Sequence, residues 1–258
     1  MSRKTIKATI VQFRPDKSSV RQTIDHMIGL LAKAARQGPD LICLPEHWLP
    51  EQNIPAEISP ITELQRIAEE YSVAIVGGAF YEKVKGRVRL SSPVIANNGN
   101  LLGRQFKVHL FRIEKKHALP GNSYNVFRLG NYKLGVLVCY DVDFPEPSRI
   151  YATKGAEIIA CPSLIVRAGV KPWLEYLTVR CLENRIPVIA PNLYIPPYTE
   201  GYSTILTLEE NMRTHISYPR LSSLNHPREG LLSRTIDLAL HNRLRRERFA
   251  DRRPDTYN

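Results

Sequence analysis

Tyr132-Lys-Leu-Gly-Val-Leu-Val138, followed at once by Cys139-Tyr-Asp-Val-Asp143 and the turn residue Pro145, carries the clearest fold signal in the chain. The apolar run is strand-sized, and Pro145 precedes a short helix to about residue 153, so Cys139 falls at a strand end before a helix. The same alternation extends in both directions. Asp40-Leu-Ile-Cys-Leu-Pro45 is a continuous apolar run bounded by turn residues, as expected of a strand buried on both faces, and it sets Glu46 at its C-terminal end.

That strand follows a first strand near the N-terminus and a helix that Ser18 or Ser19 can cap. The helix keeps Ile24, Met27, Ile28, Leu31 and Ala34 on one face and stops at Gly38-Pro39. Residues 60–72 read as a second helix and 73–81 as a strand; 87–95 and 100–107 read as two strands joined by Asn97, Asn98 and Gly99, with Lys107 closing the second. Beyond residue 153 the pattern predicts a strand at 157–161, a helix at 172–185, a strand at 187–191 and another near 203–208, after which it weakens. Alternating helices and apolar strands indicate the α/β class. No linker or composition break interrupts residues 3–210, so the reading is one domain over 1–258 with an irregular, Arg-rich C-terminal extension at about 243–258.

With 258 residues, 43% hydrophobic and 24% charged, the chain can bury a sizeable core. Its 14 Gly and 19 Pro are too few and too scattered for a collagenous or low-complexity chain, and no block repeats. Apolar runs such as VAIVGGAF at 73–80 fall far below the roughly 18 residues of a membrane span. The first residues interleave Lys4 and Lys7 with Ile6, Ala8 and Ile10, which predicts a strand and not a signal peptide. Cys43, Cys139, Cys161 and Cys181 lie far apart with no CxxC, so a reduced, cytoplasmic location is expected. The net charge of +11 includes six Arg against three acids after residue 242.

Glu46, Lys107 and Cys139 each stand at the end of an apolar strand, where sites gather in α/β sheets. A carboxylate that removes a thiol proton, a thiolate that attacks a carbonyl and an ammonium that stabilises the resulting oxyanion form a coherent set.

LPEHWL (44–49), FKVHLF (106–111) and VCYDVDFPEPSR (138–149) resemble, in order and spacing, the signature segments of the carbon–nitrogen hydrolases, the nitrilase/amidase superfamily. The resemblance continues in GAEIIACPS (155–163) and in Trp173, Arg180, Glu183-Asn184 and Asn192. It implies a four-layer α-β-β-α sandwich, Glu46 as general base, Lys107 as transition-state stabiliser and Cys139 as nucleophile. It also implies Glu114 as the group that holds Lys107 and orients substrate, and the Tyr140 backbone N–H as a second oxyanion donor. No cofactor and no metal are implied. A homodimer or larger homo-oligomer is implied, with the tail packing on a partner subunit. Tyr140-Asp141 and Phe144-Pro145-Glu146 resemble the amide-hydrolysing branch, so the expected activity is hydrolysis of a small linear amide through a Cys139 thioester. Carbamoyl amides, ω-amides of dicarboxylic acids and nitriles are the alternatives within the superfamily. His47-Trp48, Arg112-Ile113 and most of 193–230 depart from the pattern.

Without those motifs Glu46 and Lys107 would read as surface charges, Glu114 as part of a run with Lys115 and Lys116, and Cys139 as a small hydrophobe. Cys43, Cys161 and Cys181 read as inert core. His109 and His117, eight residues apart, lack a ligand pattern for a metal, and Gly77-Gly78 is no nucleotide loop. Glu183-Asn184 reads as structural helix-end bonding. Two other classes of function stay open: a binding-only pseudoenzyme with a silent Cys139, and a nucleic-acid binder using the Arg-rich tail with Phe249 and Tyr257, although no nucleic acid and no membrane are the expected partners.

Overall fold

The structure, a computed structural model, describes residues 4–15, 19–49 and 59–256. Ser18 and Tyr257 lie outside the described residues. The first half of the chain gives β1 (Thr5–Gln12), α1 (Val20–Ala35), β2 (Leu41–Cys43), α2 (Pro60–Glu70), β3 (Ala74–Val76), β4 (Phe80–Val84), β5 (Arg87–Ile95) and β6 (Leu101–Phe106). The middle gives the short α3 (Glu114–His117), β7 (Phe127–Leu129), β8 (Tyr132–Val136), α4 (Pro145–Thr153), β9 (Ile158–Ala160), α5 (Val170–Asn184) and β10 (Val188–Ala190). The two-residue strands β11 (Tyr194–Ile195) and β12 (Thr199–Glu200) form a small ribbon, and β13 (Thr204–Glu210), β14 (Ser217–Ser223), β15 (Gly230–Asp237) and α6 (Leu238–Ala250) complete the chain.

Two sheets result. One runs β15-β1-β2-β3-β5-β4, with β6 also on β5; the other runs β14-β13-β10-β9-β8-β7. Because side chains alternate along a strand, the short central strands feed two apolar layers each. Leu41 and Cys43 of β2 join the core between the sheets, whereas Ile42 faces the layer under α1 and α2. In the other sheet Ile158 and Ala160 of β9 face the inter-sheet core, and Ile159 faces the layer that Trp173, Leu177 and Cys181 of α5 complete. The architecture is the α-β-β-α sandwich, with helices outside both sheets. Ser19 caps α1, its side chain accepting from Gln22 N–H at 3.1 Å, and Ile24, Met27, Leu31 and Ala34 are buried beneath it.

Two expectations are corrected. Residues 73–81 are not one strand: the chain breaks at Gly77-Gly78 into β3 and β4. Gly78 adopts φ +71°, and a Cβ there would lie 2.2 Å from the Pro45 carbonyl oxygen, so the bend is forced by close approach to the loop carrying Glu46. The C-terminal part is also not irregular throughout, since α6 runs on to Ala250 and only the last described residues are turn and 3₁₀ structure. All eight residues of β15 pair antiparallel with β1, from Asp237 opposite Thr5 to Gly230 opposite Gln12. Only Leu232 and Ile236 of β15 are fully buried apolar residues, and α6 mixes buried Leu244 with buried His241 and Arg245, so neither segment shows a clean periodicity. Residues 243–250 are thus helical, and Arg243, Arg245 and Arg253 bond Glu247, Asn242 and Asp255 within the chain. No described helix is long and apolar enough to cross a membrane.

Candidate active site

β2, β6 and β8 end on the same side of the sandwich and bring Glu46, Lys107 and Cys139 to one cavity of about 790 Å³, which Glu114 and Tyr140 also line. Lys107 is the centre of the polar array. Its ammonium donates to Glu46 Oε1 and to Glu114 Oε1, each at 2.8 Å. The second oxygen of each carboxylate is held by backbone: Leu164 N–H donates to Glu46 Oε2 at 3.2 Å and Phe111 N–H to Glu114 Oε2 at 2.6 Å. Glu46 and Lys107 are each 1% exposed, so this is a buried, nearly dry ion pair.

Burial alone would drive Lys107 towards its neutral form, but Glu46, the Cys139 sulfur and Glu114 together outweigh it and raise its pKa above the ordinary lysine value. Burial pushes Glu114 up, but the bonds from His47, Lys107 and the Phe111 N–H win and lower it. Burial pushes the Cys139 thiol well above its ordinary value, Glu46 adds to the rise, and Lys107 only partly opposes it. Burial and the Glu46 carboxylate thus both favour the thiol form of Cys139. Cys43 is raised likewise, and burial pushes Cys161 and Cys181 up to about 12; none of the three lines the cavity.

Cys139 opens a 3₁₀ turn over Cys139–Asp143 with φ 49°, a left-handed conformation that costs a non-glycine residue about 1–3 kcal/mol. The surroundings hold it there. Cys139 N–H donates to Pro162 O at 2.9 Å, and buried Asp141 accepts from Val138 N–H at 3.1 Å. The same Asp141 accepts from His109 N–H at 2.8 Å, tying the Cys139 turn to the loop after Lys107. From α5, Arg180 donates to the carbonyls of Val142 at 3.0 Å and Asp143 at 2.9 Å, with a third bond to Glu183 at 3.1 Å. Glu183 and Asn184 thus serve the helix end that carries Arg180. Asn184 Nδ2 donates to Ser148 Oγ and to Arg180 O, both at 3.1 Å. The Tyr140 side chain packs edge-on to Phe111 and Phe144.

Glu46, His47 and Glu114 are disposed so that their ligand atoms would suit a cation, but the Lys107 ammonium already lies between the two carboxylates. His109 stacks on Phe144 at 3.9 Å and His117 ends α3, so neither belongs to a metal set among the described residues.

A family model described as carbon-nitrogen hydrolase matches residues 7–206. The chain belongs to the carbon–nitrogen hydrolase family. This carbon–nitrogen hydrolase is 29% identical to a probable nitrilase of Schizosaccharomyces pombe over 98% of both chains. It is 30% identical to an omega-amidase of Xenopus laevis over 70% of this chain and 72% of that one. A carbon–nitrogen hydrolase from Helicobacter pylori superposes with a TM-score of 0.81 over 98% of this chain and 97% of that chain, at 24% identity.

Sequence reasoning missed three participants in the hydrolase cavity. His47, in a left-handed conformation at φ 54°, turns its ring against Tyr81 and brings Nε2 to 3.4 Å from Glu114 Oε1. Leu164 N–H fixes Glu46 across 118 positions of sequence. Asp143 lines the cavity, and burial raises its pKa against the opposing pull of Arg180 and Lys107. The departure His47-Trp48 was the one available signal. Trp48 proves to be the anchor of the Glu46 loop, its indole N–H donating to Gly77 O at 2.8 Å.

Proposed function

We propose that the protein hydrolyses the non-peptide C–N bond of a small linear amide and releases ammonia through a Cys139 thioester. The observation that carries this reading is the Lys107 ammonium held at 2.8 Å by both Glu46 and Glu114, in the cavity that contains Cys139. Of the two carboxylates, Glu46 is the one hydrogen-bonded to the Cys139 thiol, which supports it as the base.

As Cys139 Sγ attacks the amide carbon, its proton passes to Glu46; the raised thiol pKa means that this transfer accompanies attack. The oxyanion that forms is held by Lys107 and the Tyr140 N–H. Glu46 then gives the proton to the amide nitrogen, the C–N bond breaks and ammonia leaves an acyl-Cys139. Water attacks the thioester with Glu46 taking its proton; the C–S bond breaks, the carboxylic acid departs and the sulfur recovers the proton from Glu46. Glu114 keeps Lys107 charged and fixed throughout, and no group outside the chain is needed to balance the protons.

Ammonia release from a panel of linear amides, carbamoyl compounds and nitriles tests the reading. Release from an amide by the wild-type protein and its loss in Cys139→Ala are expected. Identical behaviour of the two proteins across the panel overturns it.

A further inference from the structure

The cavity around Cys139 is walled largely by apolar side chains, including Leu49, Tyr81, Phe111, Leu164, Trp173 and Tyr176. Its charges are lopsided. Among the described residues that line it are three acids, Glu46, Glu114 and Asp143, against one lysine, Lys107, whose charge acts on the Asp143 carboxylate as well, although the chain as a whole carries +11. Lys107 is already committed to Glu46 and Glu114, and His47 faces Glu114. No cation of the described lining is therefore left for an anionic group on a ligand.

Asp143 stands apart from the other two acids. It ends the 3₁₀ turn that Cys139 begins, and its backbone is fixed through the bond from Arg180 to its carbonyl. Arg180 spends its other bonds on Val142 O and Glu183, and no described residue donates a hydrogen bond to the Asp143 carboxylate. A half-buried carboxylate with no described hydrogen-bond donor, touched only by the charges of Arg180 and Lys107 in a mostly apolar cavity, is complementary to a donor that the ligand carries in.

We propose that Asp143 sets the substrate class: the cavity selects linear amides bearing an ammonium group, accepts neutral ones less well and rejects those ending in a carboxylate. The rejection follows from a lining that, among the described residues, is net negative and has its one lysine already paired, so discrimination rests on repulsion as well as attraction. ω-Amides of dicarboxylic acids are accordingly poor ligands. The inference rests on the amide-hydrolysing reading of the same cavity, and its test separates the two.

Three amides matched in length serve as probes: γ-aminobutyramide, pentanamide and glutaramate. Their affinities are measured calorimetrically on Cys139→Ala protein, and their hydrolysis is followed by ammonia release with Cys139 intact. γ-Aminobutyramide is expected to bind about tenfold more tightly than pentanamide, the scale of one half-buried charge pair, and glutaramate most weakly. Asp143→Asn brings the cationic-to-neutral ratio close to one, Asp143→Glu keeps it above one, and Asp143→Lys moves glutaramate ahead of γ-aminobutyramide. An unchanged order in Asp143→Asn, tightest binding of glutaramate by the Asp143 protein, or no binding of any of the three overturns the proposal. If the binding order holds but the intact protein releases no ammonia, selection by Asp143 stands and the hydrolytic reading falls. Hydrolysis without charge preference does the reverse.

Discussion

Lys107 Nζ and Glu46 Oε1 stand 2.8 Å apart with both side chains almost wholly shut off from water. A buried pair of this kind contributes little to stability as a pair, because desolvation offsets its attraction, but removal of one partner leaves an uncompensated charge. Its place in this molecule is explained by the chemistry of the cavity.

Lys107→Met leaves Glu46 and Glu114 facing each other without a counter-charge. Destabilisation of about 3–5 kcal/mol is expected, together with loss of turnover. Denaturant unfolding and ammonia release measure the two effects. A Met variant as stable as the wild type contradicts the buried-pair assignment.

Glu114 makes a pH prediction with a definite sign. Its folded pKa lies below the ordinary 4.5, so it contributes stability that is present above pH 4.5 and is lost as pH falls through the lowered folded value. Lys107 is raised above its ordinary 10.5, so its contribution is fully present below that value and does not change in the acid range. Glu114→Gln should therefore cost about 2 kcal/mol near neutrality, and its deficit relative to wild type should shrink below pH 4.5. Thermal melts of both proteins across the acid range decide it; a deficit that grows on acidification contradicts the sign.

Gly78 shows how a backbone position outside the cavity lining supports the site. A methyl group at φ +71° would lie 2.2 Å from Pro45 O and 2.7 Å from Trp48 Cδ1, on both sides of Glu46. Gly78→Ala is expected to destabilise the fold by more than about 1 kcal/mol and to lower kcat. Unchanged melting and turnover would show that the Glu46 loop tolerates displacement.

Arg180 is a positioning residue, acting through the carbonyls of Val142 and Asp143. Arg180→Lys keeps the charge but loses the fork that reaches both carbonyls and Glu183. A fall in kcat of about tenfold or more, with a smaller change in KM, is expected if the Cys139 turn is loosened. Equal changes in stability and KM with kcat preserved would assign Arg180 to folding alone.

Much of this architecture is legible in sequence because the signals are local. Buried strands such as Leu41–Cys43 and Ile158–Ala160 appear as short apolar runs, and Glu46, Lys107 and Cys139 follow such runs directly. What escaped depends on distant approaches. β15 presents only a sparse apolar pattern and is defined by its pairing with β1 more than 200 residues away. The break at Gly77-Gly78 reflects the crowding of Pro45 and Trp48, not a weak strand pattern. Asp143 reads in sequence as one more acid in a motif; that Arg180 bonds its backbone carbonyl, with its other bonds going to Val142 O and Glu183, is visible only in the fold.

On the proposed mechanism Cys139 carries the acyl group. Acid-quenching the wild-type protein during turnover of a linear amide, with butyramide as the neutral probe, and mapping its peptides by mass spectrometry tests this directly. A butyryl increment is expected on the Cys139 peptide and none on those of Cys43, Cys161 or Cys181, with no ammonia release by Cys139→Ala. Sustained ammonia release by Cys139→Ala, or an acyl group on another residue during turnover, would contradict it.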